Sequence, residues 1–345
     1  MTIEIDVFED DRADEWNRYV DQSPIATPFH RYGVLDLLAT EVGAQVHTLV
    51  GFKGQEPIGV LPVFEQTKGP FRLVVSPPEL EVFTLGPAFL NIEKLKQRKR
   101  ERRQKRFVES CLDWISTEVD PDYIDIRTVV QYDDSRPFIW RGYDVSPSYT
   151  YVLDLSPDKE EILMGFSRDA RSTIRDGDAV TGDAPVIGQA GTAGIEPIIE
   201  RIRTRHTEQG ESYSLTPRFV QQLYDQLPDG MMRVYAVRVA DDIVGGLITL
   251  EHDTTIYRWQ GGAKTDGSLP ANDILDWRIM CDAKDRNITR YDLVGANNPR
   301  LCRYKSKFNP TPKQYHVITR RTRLMQAAVG VRRLLSNRLP HLSSR

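Results

Sequence analysis

Two stretches of the chain alternate apolar and polar residues on either side of a short polar turn. Residues 46–65, VHTLVGFKGQEPIGVLPVFE, turn at Lys-Gly-Gln-Glu, and residues 233–251, RVYAVRVADDIVGGLITLE, turn at Asp241 and Asp242. Alternation with a period of two is typical of a strand with one buried face, and two such runs about a turn predict a β-hairpin. The segments PIGVLPVFE and DIVGGLITLE align, which indicates that one hairpin is a copy of the other.

A strand, an amphipathic helix and a closing strand are predicted after each hairpin, in the same order. These elements begin at Phe71, Phe107 and Tyr123 in the first half and at Thr254, Asn272 and Tyr291 in the second half. The repeated order predicts an α/β (α+β) fold of two tandem domains, each a mainly antiparallel central sheet flanked by helices. We expect the domains to span residues 1–145 and 146–318, with a basic amphipathic helix or tail over 319–345.

The second domain is predicted to open with a strand in VSPSYTYVLDLSP. Ser156 is the expected N-cap of one helix, EEILMGFSRDARSTIRDG, and a second helix is expected to follow Gly194.

Composition is that of a globular protein with a sizeable core. The chain has 345 residues, of which 40% are hydrophobic and 28% are charged. No stretch approaches the ~18 to 20 apolar residues that a membrane-spanning helix needs, and the acidic start MTIEIDVFEDDRADE differs from a secretory signal. Three widely spaced cysteines argue against a disulfide framework or a thiolate metal site. A soluble cytoplasmic protein without a metal is therefore expected, with the inner face of the membrane as an alternative location.

Charge is distributed unevenly along the chain. No Asp or Glu follows Asp292, whereas 12 Lys and Arg residues lie after it. Such a basic end predicts an anionic partner, which could carry phosphate, nucleic acid or a lipid head group. The sequence does not define an oligomeric state.

Two basic segments each leave two interpretations open. Residues 95–106, LKQRKRERRQKR, could contact a phosphate backbone such as that of tRNA or form a solvated helical face. The tail TRRTRLMQAAVGVRRLLSNRL aligns apolar residues from Leu324 to Leu339 on one helical stripe. This basic helix could make peripheral membrane contact or dock on the protein itself.

Three groups of residues in the second half are candidates for substrate contact. Arg168, Arg171 and Arg175 are spaced to project from one helical face, where they could bind an anion or pair with neighbouring aspartates. A strand ending at Trp259 and Gln260 leads into Gly261 and Gly262, which could admit a ligand to the backbone or form an ordinary turn. Asn272 is the expected N-cap of the next helix. The substrate-binding candidates are Arg171, Arg175, Tyr257, Trp259, Gln260, Gly261, Gly262, Asn272, Asn297 and Phe308.

The closing strand and the segment after it carry the catalytic candidates. Asp292 ends the strand and could accept a proton or anchor the next loop by hydrogen bonds. Lys305 could stabilise an oxyanion or a phosphate. Several motifs are missing, among them the phosphate-binding G-x-x-x-x-G-K-[ST], the dinucleotide-binding G-x-G-x-x-G, H-E-x-x-H and G-x-S-x-G. Their absence argues against nucleotide kinases, metallohydrolases and serine hydrolases.

Several motifs follow one another in the second half: R-x-x-I-R at 171–175, Y-R-W-Q-G-G at 257–262, P-A-N-D-I-L-D-W at 270–277, and Y-D-L-x-G followed by Y-K-S-K-F at 304–308. Taken in this order, they resemble the Fem-like (peptidoglycan bridge aminoacyltransferase-like) branch of the GNAT acyltransferase superfamily. The resemblance spans residues 5 to 320 and implies two GNAT-like domains with a substrate groove between them. It further implies a closing aromatic-Lys-x-x-Phe motif at Tyr304, Lys305 and Phe308, whose lysine contacts phosphate or the transition state. The tRNA-binding coiled-coil arm and the pyrophosphate-binding motif of ordinary acetyl-CoA enzymes are not evident.

The resemblance implies transfer of an acyl group to an amine, without a tightly bound cofactor. Acyl-CoA or aminoacyl-tRNA would be the donor, and the acceptor would be an amine of an anionic cell-envelope, lipid-linked or sugar-linked compound. In this hypothesis Asp292 is the base, while Lys305 and backbone N–H groups near Gly261 polarise the carbonyl. Arg171 and Arg175 hold an anionic reactant, and Trp259 packs on the substrate. The alternative is a non-catalytic binding protein for an anionic glycan, a lipid head group or RNA.

Overall fold

The computed structural model describes residues 2–179, 186–239, 242–263 and 271–327. The strands are β1 (Glu4–Phe8), β2 (Gln45–Lys53), β3 (Glu56–Lys68), β4 (Phe71–Ser76), β5 (Ala88–Phe89), β6 (Tyr123–Arg127), β7 (Asp144–Asp154), β8 (Val186–Gln189), β9 (Met232–Val239), β10 (Asp242–His252), β11 (Thr255–Ala263), β12 (Arg290–Asp292) and β13 (Thr311–Arg321). The α-helices are α1 (Ala13–Gln22), α2 (Tyr32–Val42), α3 (Gln97–Trp114), α4 (Arg136–Trp140), α5 (Lys159–Gly165), α6 (Arg168–Ala179), α7 (Ile195–Glu208), α8 (Pro217–Gln226), α9 (Ala271–Asp285) and α10 (Pro299–Lys305).

The described residues divide into two compact units. The first contains those of Met1–Ile25, Leu38–Pro147 and His316–Arg345, and the second contains those of Ala26–Leu37 and Ser148–Tyr315. The domain limits expected from the sequence, 1–145 and 146–318, remain a prediction.

The first unit contains strands in the order β1, β2, β3, β4, β6 and β13. Neighbours are antiparallel except β4 and β6, which pair in parallel from Leu73 with Tyr123 to Ser76 with Ile126. The first predicted hairpin is confirmed as β2 and β3, whose register joins Lys53 to Glu56. Helix α3 packs on this sheet through apolar residues at helical spacing, Phe107, Val108, Cys111 and Leu112.

The second unit repeats this plan with the order β8, β9, β10, β11, β12 and β7. Again one described pair is parallel: β11 joins β12 from Thr255 with Arg290 to Tyr257 with Asp292. Strands β9 and β10 form the second predicted hairpin, although Asp241 of its expected turn lies outside the described residues. The predicted α/β fold of two duplicated, mainly antiparallel sheets with flanking helices is therefore confirmed.

The core of the second unit lies between its sheet and helices α6 and α9. Helix α9 carries buried residues on most of its circumference, including Leu275, Ile279 and Met280. Burial of each large apolar side chain contributes about 1.5 to 3 kcal/mol, so this helix is held by packing on more than one side. It lies next to β11 and thereby fixes the strand that carries several candidate site residues.

Three local predictions were wrong. The basic segment 95–106 is mostly the start of α3, which begins at Gln97 rather than at Phe107. The segment EEILMGFSRDARSTIRDG forms two helices, α5 and α6, that are separated at Phe166 and Ser167. The N-cap of α5 is Asp158, whose carboxylate accepts a hydrogen bond from the Glu161 N–H at 2.8 Å, and not Ser156. Helix α5 ends because its C-cap, Phe166, has an extended backbone conformation with φ −71° and ψ 161°.

The described residues include no helix with both the length and the apolarity required to cross a lipid bilayer. Most of the predicted C-terminal helix cannot be compared with the structure, because residues 328–345 lie outside the described part. Leu324, the first residue of its predicted apolar stripe, is exposed.

Candidate functional site

The two parallel strands of the second unit separate at their carboxyl ends. Pairing of β11 with β12 stops at Tyr257 and Asp292, yet β11 continues beside β10 as far as Ala263. The chain beyond Asp292 follows β7 instead, since the N–H groups of Leu293 and Ala296 donate to the carbonyls of Tyr151 and Tyr149 at 2.8 Å. The outer edge of β11 after Tyr257 consequently has no strand partner among the described residues. This opening lies at the carboxyl end of parallel strands, where α/β sheets commonly bind ligands.

A β-bulge bends β11 at the start of this opening. Ile248 of β10 pairs with Gln260 and Thr249 pairs with Arg258, so Trp259 is the extra residue on β11. A bulge redirects the strand and increases its twist. Gly261 and Gly262 are paired with Leu247 and Gly246 inside the strand, which corrects the expectation that the strand ends at Gln260.

Gly261 is required by both backbone conformation and space. Its φ is +136°, and an added Cβ would lie 2.3 Å from the Gly246 carbonyl oxygen. We expect Gly261→Ala to lower the free energy of unfolding by at least about 2 kcal/mol, since the strain combines with a backbone clash. Chemical denaturation measures the loss. Gly188→Ala is the matched control, because a Cβ there meets nothing within 4 Å. Equal stability of both variants would show that β10 and β11 are not as close as described.

Trp259 and Gln260 form fixed parts of this strand. The Trp259 ring packs edge-on against Phe29 at a centroid distance of 5.8 Å, and its side chain is only 5% exposed. The Gln260 side chain accepts a hydrogen bond from the Tyr213 hydroxyl at 2.9 Å. Both residues therefore keep one orientation beside the opening.

The turn after β12 is held by the two catalytic candidates. The Asp292 carboxylate accepts hydrogen bonds from the Thr150 hydroxyl at 2.5 Å and from the Val294 N–H at 2.8 Å. Lys305 at the end of α10 donates from Nζ to the carbonyls of Val294 and Gly295. The structure thus brings Asp292 and Lys305 together on one turn and gives both an anchoring contact.

Burial shifts the pKa values of both groups towards neutrality. Desolvation raises the pKa of Asp292 to about 6, opposed by the hydrogen bonds from Thr150 and Val294 and by the charge of Lys305. Desolvation also lowers the pKa of Lys305 to about 8, and repulsion from Arg258 acts in the same direction. Between these two values Asp292 is mainly a carboxylate and Lys305 mainly an ammonium. Ionisable groups whose pKa values are shifted in this way are common at sites of proton transfer.

The raised pKa of Asp292 predicts a specific dependence of stability on pH. A carboxyl group with a higher pKa in the folded chain binds more protons there, so the free energy of unfolding falls as pH rises from 3.8 to about 6. Asp292→Asn removes this titration. Relative to the unsubstituted protein, the variant should gain about 2 kcal/mol between pH 4 and pH 7, as measured by chemical denaturation at each pH. Asp154→Asn is the control with the opposite sign, because the Ser156 N–H lowers the pKa of Asp154. Parallel curves for Asp292→Asn and the unsubstituted protein would contradict the assignment.

A buried network that the sequence did not indicate lies beside this pair. Asp276 of α9 is 0% exposed and accepts hydrogen bonds from Arg258 Nε at 2.8 Å and from the Tyr291 hydroxyl at 2.7 Å. The Tyr304 hydroxyl donates to its other oxygen at 2.9 Å. The network connects β11, β12, α9 and α10 at the end of the sheet. Its signal in the sequence is weak, because the partners of Asp276 lie 15 to 28 residues away.

The helical arginines bind groups close to them in the second unit. Arg171 Nη1 donates to the carbonyls of Met164 and Phe166, where α5 ends. Arg175 contacts Glu160 at 3.1 Å and is more than half exposed. Within the described contacts, neither guanidinium pairs with Asp292 or joins the contacts of Lys305, so the binding of an anionic reactant by this pair remains a prediction.

The other substrate-binding candidates have varied environments. Tyr257 pairs with Asp292 across β11 and β12, and burial followed by the Asp292 charge raises its pKa. Asn297 makes two hydrogen bonds to the main chain of Tyr149, at 3.0 and 3.1 Å. Asn272 is the second residue of α9 rather than its N-cap, and its side chain lies close to Gly262. Phe308 is fully buried against Phe166, with ring centroids 5.2 Å apart, and belongs to the core.

Comparisons with known proteins agree with this architecture. Residues 166–306, which include α6, β9 to β12 and α9, match the family model of the acetyltransferase (GNAT) domain. Residues 166–306 of the second unit therefore carry a GNAT domain, and this match indicates an acyltransferase. No curated protein gives a significant sequence match.

Solved structures extend the similarity to nearly the whole chain. The crystal structure of FemX superposes with a TM-score of 0.70 at 12% identity, covering 91% of this chain and 96% of that one. L-PGS from Bacillus licheniformis gives a TM-score of 0.57 at 11% identity, with 92% and 96% covered. A tandem GNAT protein from the clavulanic acid biosynthesis pathway gives 0.53 at 11% identity, with 92% and 98% covered. At these identities the similarity defines the fold, and it confirms the resemblance to the Fem-like branch at that level.

Proposed function

We propose that the protein transfers an acyl or aminoacyl group from a CoA- or tRNA-activated donor to an amine of a cell-envelope or sugar-linked acceptor. The observation that carries this proposal is the separation of β11 from β12 within the GNAT domain. Among the described residues, it leaves the outer edge of β11 without a strand partner, beside a turn that is held by Asp292 and Lys305. The opening offers main-chain hydrogen-bonding groups on one side and ionisable groups on the other.

The unpaired edge of β11 favours a donor with an extended, amide-containing arm. Main-chain N–H and C=O groups on such an edge bind an added strand-like segment. Acyl-CoA has an arm of this kind and is the donor that GNAT domains use. It would bind as a co-substrate, without a resident cofactor. Aminoacyl-tRNA remains the alternative donor, for which Arg300 and Arg303, exposed after the turn, would supply charge.

The turn residues supply the groups that the chemistry needs. The neutral amine attacks the carbonyl carbon, a C–N bond forms, and the bond to sulfur or to the ribose oxygen breaks. The amine proton passes to a base, and the leaving group takes up a proton. In our proposal the Asp292 carboxylate accepts the amine proton. A lysine has three N–H donors, two of which contact the turn, so the third N–H of Lys305 would bind the carbonyl oxygen as it gains negative charge.

Holding the two reactants close together also increases the rate of transfer. Holding amine and carbonyl in contact can lower the barrier by ~7 kcal/mol or more. The bulge at Trp259 and the hydrogen bond to Gln260 fix one side of the opening before substrate arrives. We propose that Trp259 contacts the acyl group and that Tyr257 contacts the amine. A lipid-linked acceptor would place the enzyme at the inner face of the membrane.

A screen of donors against amines tests this proposal. The purified protein is incubated with acyl-CoAs or aminoacyl-tRNAs and with amino sugars or peptidoglycan-precursor amines. Mass spectrometry detects the N-acylated product, and a thiol assay detects released CoA. Product that requires both the amine and the protein supports the proposal. A donor that binds stably but is not consumed with any amine would overturn it.

A further inference from the structure

Two large apolar side chains project side by side from the first unit. Helix α4 buries Pro137 and Phe138, and its last two residues, Ile139 and Trp140, are 52% and 58% exposed. Phe138 packs between Tyr132 and Tyr143, so the helix cannot turn to bury the exposed pair without losing these contacts. Contiguous exposed apolar side chains mark interaction surfaces more often than single ones do.

Two cationic side chains lie close to the ring of Trp140. Lys105 Nζ of α3 lies 5.2 Å from the centroid of a Trp140 ring, and the Arg136 guanidinium lies 5.7 Å away. Arg98, Arg102 and Lys105 recur at intervals of four and three residues, so they lie on one face of α3. The side of α3 next to Trp140 is therefore basic along its first two turns.

Acidic groups on this surface do not neutralise it. Glu101 and Asp134 pair with Arg136. Glu109 pairs with Lys105 at 3.8 Å and with Arg141 at 4.0 Å, and Asp113 also pairs with Arg141. Glu56 pairs with Arg103. The described contacts give no carboxylate partner to the exposed cations of the α3 start, which are Lys96, Arg98, Lys99, Arg100 and Arg102.

We propose that this surface, residues 96–105 of α3 with Ile139 and Trp140 of α4, docks on an anionic lipid bilayer. It is called the α3–α4 surface below. Tryptophan favours the bilayer interface, where its apolar ring enters the head-group region, and Ile139 beside it adds apolar area. Basic side chains around the rings attract anionic head groups, and their aliphatic stems can lie along the interface.

RNA fits this surface less well than lipid. Base stacking needs an open aromatic face, and Lys105 and Arg136 already lie close to the Trp140 ring. The exposed aliphatic side chain of Ile139 contributes nothing to phosphate contacts. A bilayer uses both the charge and the apolar pair.

Vesicle binding of the full-length protein tests the proposal. Flotation with phosphatidylcholine vesicles is compared with flotation on vesicles that contain about 30% phosphatidylglycerol. We expect binding to the anionic vesicles only, and binding should decrease with salt. Because each basic residue at the surface changes binding about five-fold, Arg98→Gln with Arg102→Gln and Lys105→Gln should lower the partition coefficient roughly a hundred-fold. Arg218→Gln with Lys313→Gln and Arg203→Gln is the control for lost positive charge elsewhere on the surface.

A second pair of variants separates insertion from charge attraction. Ile139→Ala with Trp140→Ala should lower vesicle binding at least ten-fold without changing net charge. Met164→Ala with Val186→Ala removes two equally exposed apolar side chains from the second unit and should leave binding unchanged. Fluorescence quenching by brominated lipid should be strong and should disappear in Trp140→Phe.

Three results would overturn the proposal: equal binding to both kinds of vesicle, full binding by the Ile139 and Trp140 variant, or unchanged quenching in Trp140→Phe. Binding of homopolymeric RNA in place of vesicles, lost with the charges but not with the apolar pair, would assign the surface to nucleic acid instead. Acyl transfer to a soluble amine should be unaffected by these variants, so this test stands apart from that of the proposed function.

Discussion

Lys305→Met is expected to lower kcat/KM for acyl transfer at least a hundred-fold while the protein stays folded. Methionine preserves the length and apolar stem of the side chain but removes the ammonium that donates to the carbonyls of Val294 and Gly295. Loss of a single donor to a developing oxyanion costs about a hundred- to a thousand-fold in rate. Steady-state kinetics with the donor and amine identified by the screen measure the effect.

Lys284→Met provides a matched control for this variant. Lys284 is a partly buried lysine of the same unit that also donates to two main-chain carbonyls, those of Leu155 and Ser156, at 2.9 and 3.2 Å. Both variants should lose similar stability, whereas only Lys305→Met should lose activity. Activity should fall in the unsubstituted enzyme as pH rises through about 8, where Lys305 loses its proton, and the residual activity of Lys305→Met should lack that decrease. Equal activity in the two variants would reduce Lys305 to a structural residue.

Asp276→Ala is expected to cause the largest loss of stability, about 3 to 5 kcal/mol in the free energy of unfolding. The variant leaves Arg258 charged inside the protein without the carboxylate that it contacts at 2.8 Å. An uncompensated buried charge costs this much because protein groups no longer replace its hydration. The hydroxyls of Tyr291 and Tyr304 lose their acceptor as well. Chemical denaturation at neutral pH measures the loss.

Two further variants identify the cause of that loss. Asp282→Ala removes a partly exposed carboxylate whose partner Arg286 keeps a second one, Glu251, at 2.5 Å. The buried Tyr235 hydroxyl also loses its acceptor, so the cost should be about 1 to 2 kcal/mol, which is smaller than that of Asp276→Ala. Arg258→Met with Asp276→Leu removes both charges and should recover most of the stability lost in Asp276→Ala. Equal stability of Asp276→Ala and Asp282→Ala would show that Asp276 does not compensate a buried charge on Arg258.

Local patterns predicted most of the sheet, because each strand shows its buried face in its own residues. The hairpin of β2 and β3 follows from alternation over 46–65. The helix predicted from Asn272 is present as α9, but it is buried on most of its circumference and is not amphipathic as expected. The order of elements then predicted the duplication, since two copies of one order imply two copies of one sheet. Boundaries were less well predicted: charged residues extend α3 by ten positions before its first large apolar residue.

The candidate site was predicted only where its residues are near in sequence. Asp292 and Lys305 were found because both lie close to the closing strand. Arg258 and Asp276 were missed as a pair because a strand and a helix bring them together across intervening residues, and alternation cannot show a contact between elements. For the arginines of α6 the sequence left anion binding and pairing with aspartates open, and it did not show that Arg171 donates to main-chain carbonyls at the end of α5. A break between helices creates such acceptors, and the sequence showed one continuous helical pattern.

The short segment Ala26–Leu37 belongs to the same compact unit as the GNAT domain, although more than a hundred residues separate the two in sequence. Phe29 from this segment packs on Trp259, and a Cβ added to Gly33 would meet the side chain of Gln226. A shortened gene product that begins near residue 148 would therefore lack the ring that packs on Trp259. To produce the second unit alone, residues 26–37 would have to be added as a separate peptide or fused to one end of the shortened chain, as in a circular permutation.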